Sequence, residues 1–172
     1  MNVELENKLI EAFPVLFAGR HEPITQNLMI FGCECNDGWY DLIRDFCFLA
    51  KLRLDSAEGV NKKKNKGTKS GEYIDYPAPT LKLIQIKEKY GTLRIYYDLI
   101  YPESVEELDA QIDIEDLRKR DGRIYEYILA LSDYAMQASM RTCEITGKPG
   151  KLYTKGWHRT LCLEEAEKAN YI

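Results

Sequence analysis

The sequence predicts an α+β fold: a small antiparallel sheet built on one central hairpin, packed by two or three helices, and followed by a ribbon-plus-helix module. Three observations carry this. The runs 80–88 and 92–99 are rich in strand formers and joined around Lys89-Tyr-Gly91. Ile124, Ile128, Leu131, Ala135 and Ala138 recur at helical spacing. Finally, the distance from Cys143 and Thr146 to Cys162 and Glu165 is that of two knuckles in a zinc ribbon.

Composition bounds the rest. At 172 residues, 45% apolar and 30% charged, the chain supports a proper core and excludes wholesale disorder. No apolar run reaches the ~20 residues of a membrane span. A net charge of −4 disfavours a protein whose whole surface binds nucleic acid, while leaving room for a local basic patch. The stretch Met1 to Lys8 has neither the basic start nor the apolar run of a secretory signal, so the five cysteines predict reduced thiols in a cytoplasm.

Taken in order, Leu5, Leu9, Ile10, Ala12 and Phe13 predict a first helix over 3–13, stopped by Pro14. His21 falls in the loop that follows and reads as solvated. Cys33 and Cys35 sit two apart, which places both on one face of an extended segment. Asn36-Asp-Gly38 signals a turn, with Asn36 or Asp37 capping a helix whose stripe runs from Trp39 to Ala50. Residues 55–79 form a loop carrying Lys62, Lys63, Lys64, Lys66 and Lys69. In the hairpin, Leu81 and Leu83 have one parity and Ile84 and Ile86 the other, which predicts either a bulge near Leu83-Ile84 or burial of both faces. The second strand alternates buried Leu93, Ile95, Tyr97 and Leu99 with Arg94, Tyr96 and Asp98.

An acidic stretch then holds Glu106, Glu107, Asp109 and Asp113, suited to the positive end of a helix. Asp121-Gly122 predicts a break, with the long helix starting near Arg123. The chain thus divides into a core over 1–142 and a module over 143–172. In the module, Pro149-Gly150 predicts a type II turn, Leu152-Tyr153 and Trp157–Leu161 two short strands, and 163–170 a closing helix. Thr146 and Glu165 replace two ribbon cysteines, so no metal is favoured. Zinc, if bound, would fall to Cys143, His158, Cys162 and Glu165.

Three islands resemble one family: Cys33-Glu-Cys35 with Asp37-Gly-Trp39; Ile86-Lys-Glu-Lys-Tyr-Gly-Thr-Leu-Arg94; and Cys143 through Gly147-Lys-Pro-Gly150, Gly156-Trp157 and Thr160-Leu-Cys162. The chain resembles small uncharacterised proteins of bacterial genomes and their phages, whose ends read Cys-x-x-Cys in both knuckles. The resemblance implies context, namely a factor that acts on a host or defence system, and no catalytic residues. The residues themselves show no phosphate loop, nucleophile elbow or histidine–carboxylate metal spacing. The expected function is therefore that of a non-enzymatic protein-binding accessory factor, drawing on the tyrosine-bearing hairpin face and on Glu106, Glu107, Asp109 and Asp113. The runner-up is a nucleic-acid binder using Lys62, Lys63, Lys64, Lys66 and Lys69 with Arg94 and Tyr96. An enzyme of another class comes third.

Overall fold

The computed structural model describes residues 1–57, 59–61, 73–102 and 112–172. The predicted lysine run and Glu106, Glu107 and Asp109 lie outside them. Helices α1 (Val3–Ala12), α2 (Tyr40–Asp55), α3 (Ile114–Ser139) and α4 (Leu163–Lys168) combine with strands β1 (Cys33–Glu34), β2 (Val60–Asn61), β3 (Tyr73–Ile74), β4 (Thr80–Lys89), β5 (Thr92–Ile100), β6 (Lys151–Tyr153) and β7 (Arg159–Leu161). The class is α+β, as predicted. None of the described helices is long and apolar enough to cross a membrane.

The central sheet has the order β1-β4-β5. It is mixed and not purely antiparallel, because β1 pairs in parallel with β4, Cys33 beside Ile86. Two residues are too short for a sequence signal of strand direction. The β4–β5 register slips between Leu83 and Gln85, the predicted bulge. The bulge lets Leu81, Leu83 and Ile86 all reach the core. Its backbone is met from outside: the Leu83 amide donates to Leu16 O and the Asn27 side-chain amide to Leu83 O, both at 2.9 Å. Leu28 N–H bonds Ile84 O at the same distance.

Helix α1 is capped by Asn2, whose side chain accepts the Leu5 amide. Helix α2 has no side-chain cap, contrary to the expectation for Asn36 and Asp37. The Asp37 carboxylate is already engaged, accepting from the backbone and side chain of Asn2 at 2.7 Å each. Helix α3 begins at Ile114 instead of near Arg123 and runs through Asp121-Gly122. Tertiary contact overrides the local break here. Arg120 is 1% exposed, donates to Tyr76 O and Pro77 O, and pairs with Asp121 at 2.8 Å, so the first turns are fixed to the segment before β4.

Helix α3 also covers the free edge of β5. Leu93 N–H donates to Ser139 Oγ at 2.9 Å, and Ser132 Oγ donates to Ile95 O at 3.5 Å. An edge strand left open would template pairing with other chains, and the helix removes that exposure. The main core gathers Trp39, Ile43, Phe46, Leu81, Leu83, Ile86, Leu93, Ile124 and Ile128 between the sheet, α2 and α3. A separate small cluster holds Cys143, Tyr153, Leu161, Cys162 and Ala166 in the terminal ribbon.

Candidate functional site

The terminal segment forms two short strands and a closing helix, with the second strand starting at Arg159 and not at Trp157 and the helix ending at Lys168. β6 and β7 pair antiparallel, Leu152 opposite Thr160, and α4 closes the unit. Gly147 takes φ 72°, which lets its amide turn back to Cys143 O at 2.9 Å. Gly150 departs from expectation. Its φ is not positive, and Pro149 instead bridges Thr142. Gly150 is required because an added Cβ would meet Cys143 N and Leu161 O at 2.9 Å.

Inside the ribbon, Thr146 Oγ1 lies 3.7 Å from Cys162 Sγ. Burial opposes ionisation of the Cys143 thiol, but the Thr146 hydroxyl and the amides of Cys162, Thr146 and Ile145 outweigh it and hold that thiol below its ordinary range. The proposed ligand set is not assembled. Glu165 pairs with Lys168 at 2.8 Å, and the His158 ring meets Tyr90 at 6.1 Å. Among the described residues no group of three or more His, Cys, Asp or Glu could hold a metal.

The ribbon docks on the core through the other two sequence islands. Gly38 N–H donates to Glu144 O at 2.9 Å, and a Cβ on Gly38 would sit 2.2 Å from Cys143 O. Trp39 is fully buried, and its indole N–H donates to Thr142 O at 2.8 Å. From the hairpin turn, Gly91 O accepts the Thr160 hydroxyl at 2.7 Å. Glu144, 2% exposed, joins the halves: its Oε1 accepts Arg159 Nε at 2.7 Å and Asn36 Nδ2 at 3.1 Å. Burial raises the pKa of that carboxyl, and Arg159 pulls it back only in part. An open cleft of about 760 Å³ runs along this junction, lined by Glu34, Glu88, Glu144, Trp157, Arg159 and Tyr171.

Cys33 and Cys35 share the buried face of β1 and its continuation, with Glu34 exposed between them. Burial raises both thiols, Cys35 to about 12, which disfavours their thiolate forms at neutral pH and suits them to packing. All five cysteines are free thiols.

The remaining predicted residues are dispersed. Asp113 caps α3, its Oδ1 accepting Glu115 N–H at 3.0 Å and Asp116 N–H at 3.3 Å. Arg94 donates to the Met136 sulfur, and Tyr96 is exposed beneath Lys87. Sequence reasoning missed a groove of about 480 Å³ between α2 and α3, lined by Leu42, Phe46, Phe48, Leu49, Leu131 and Tyr134. At its mouth Phe48 is 56% and Tyr134 67% exposed. The signal was present in α2, where Phe48 and Leu52 lie outside the core stripe of Ile43, Phe46, Cys47 and Ala50.

No protein-family model, no curated protein and no solved structure matches this chain.

Proposed function

We propose that the chain is a non-enzymatic, protein-binding accessory factor that takes an amphipathic helix of its partner into the α2–α3 groove. The observation that carries this reading is the groove itself: apolar side chains line it, and two large aromatic rings stand exposed at its mouth. Exposed aromatics over a preformed apolar channel are the usual anchors of protein recognition, since they bury large area at low entropic cost. A channel between two helices matches the shape of a third, read as apolar residues one helical turn apart. The main core is complete without Phe48 and Tyr134, and packing among the described residues does not account for them.

Kinship with the small bacterial and phage-associated proteins is part of the same proposal. Its support is spatial: the three sequence islands, far apart in the chain, meet at the single junction around Gly38, Gly91 and Glu144. A role in modulating a host or defence system follows from that kinship alone.

The test places a photo-crosslinking amino acid at Phe48, at Tyr134 and, as a control, at exposed Tyr101. The expected outcome is one partner crosslinked from both groove positions, through the same helical segment, and not from Tyr101. Equal crosslinking from all three positions, or from Tyr101 alone, contradicts the groove assignment.

A further inference from the structure

The outer face of the hairpin and the ribbon tip beside it carry basic and aromatic side chains in alternation, outside the groove and the ribbon interior. Ile86, Leu93 and Ile95 hold the inward positions, which turns Lys87 and Lys89 on β4, and Arg94 and Tyr96 on β5, outward. Lys87 Nζ lies 5.3 Å from the Tyr96 ring centroid, and Lys89 Nζ 5.7 Å from that of Tyr90. Tyr90 in turn meets His158, and the neighbouring Trp157 is 73% exposed. From the level of Tyr96, opposite Gln85, to Tyr90 the stripe runs about 17 Å at the rise of a strand.

Two observations mark this stripe. Lys8, Arg44, Lys51, Lys82, Lys119 and Lys168 are each paired with a carboxylate, whereas Arg53 and Lys155, like the stripe, have none in ion-pair range among the described residues. Lys87, Lys89 and Arg94 have no carboxylate in ion-pair range among the described residues; their neighbours are rings and a sulfur. Glu34 and Asp98 border the stripe and limit its width. The second observation is backbone. Tyr90 at φ 54° and Gly91 at φ 74° form a two-residue turn with both residues left-handed. Asn or Gly is favoured at the first of these positions, and a bulky aromatic there is disfavoured. Tyr90 is 67% exposed and fills no core, so fold stability does not explain the choice.

We propose that this face binds single-stranded nucleic acid, with Lys87, Lys89 and Arg94 on phosphates and with Tyr96, Tyr90 and Trp157 stacking on bases. Exposed ring faces recruit unstacked bases, which a duplex does not offer, and interleaved cations follow the backbone between them. The net acidity of the chain is compatible with this, because the cations are concentrated locally.

The test is fluorescence anisotropy of the full chain with labelled oligothymidine and oligouridine of about 15 nucleotides, a duplex of equal length, and poly-glutamate. Expected is binding of the single strands whose log affinity falls with log salt at a slope of about −2, the value for some three neutralised phosphates. Replacing Lys87, Lys89 and Arg94 together by Gln should weaken binding at least about tenfold and flatten that slope. Tyr96→Ala and Tyr90→Asn should each weaken binding about fivefold or more with the slope unchanged. Tyr90→Asn should at the same time raise the melting temperature, a combination that a purely structural tyrosine would not give. Absence of binding, full affinity in the triple variant or in both tyrosine variants, or equal affinity for the duplex overturns the proposal. Equally tight poly-glutamate binding also overturns it and assigns the face to an acidic protein surface.

Discussion

Gly38 and Gly122 make opposite predictions from the same missing side chain. A Cβ on Gly38 would overlap Cys143 O at 2.2 Å and Gly147 N at 2.5 Å, both backbone atoms that cannot rotate away. Gly38→Ala should therefore cost about 2–3 kcal/mol or more in urea unfolding, in the range of overpacking a well-packed site. Gly122 lies inside α3 with nothing within 4 Å of an added Cβ. Gly122→Ala should stabilise by about 0.5–1 kcal/mol, the difference in helix propensity. Asp37 supplies the pH dependence. Hydrogen bonds from the Asn2 backbone and side chain favour its charged form and lower its pKa from 3.8. A lowered folded pKa means stability that is fully present above 3.8 and lost as pH falls through the folded value. Asp37→Asn should thus cost about 1 kcal/mol at neutral pH, a cost that shrinks in acid below pH 3.8. At this scale the sequence was partly legible. Asn-Asp-Gly announced a turn, but a carboxylate's choice between its own helix and Asn2, 35 residues away, depends on the fold and left no local trace.

Among the elements, α3 and β5 are the pair on which the sheet depends. Ser139 is fully buried, and its hydroxyl accepts the Leu93 amide while donating to Met136 O. Ser139→Ala strands a buried N–H and should cost about 1–3 kcal/mol, with faster hydrogen exchange at Leu93 as the specific signature. Unchanged exchange at Leu93 would show that the edge is held by other contacts. The hairpin and its bulge were readable because a parity change inside an apolar strand has few other solutions. The start of α3 was not, since Asp121-Gly122 reads as a break until Arg120 is seen clamped between Asp121 and the carbonyls of Tyr76 and Pro77. Long-range burial of one cation outweighed two poor helix formers.

For the molecule as a whole, the ribbon functions as the keystone of a junction. Its strands and closing helix were legible from knuckle spacing, while its docking partners, Gly38, Trp39 and Gly91, became intelligible only once three distant motifs met in space. The groove and the hairpin stripe escaped the sequence for a related reason. An exposed aromatic and a buried one share a letter, and only packing tells Phe48 from Phe46. These two surfaces lie on different elements, so the proposed protein partner on α2 and α3 and the proposed nucleic acid on β4 and β5 would not compete for the same side chains. The most direct measurement is calorimetric titration of the partner segment identified by crosslinking into the wild type, Phe48→Ser, Tyr134→Ser and, as a control, Trp157→Ser. Loss of an exposed aromatic anchor should weaken affinity at least about tenfold in each groove variant, with wild-type affinity in the control. Wild-type affinity in both groove variants would contradict the account.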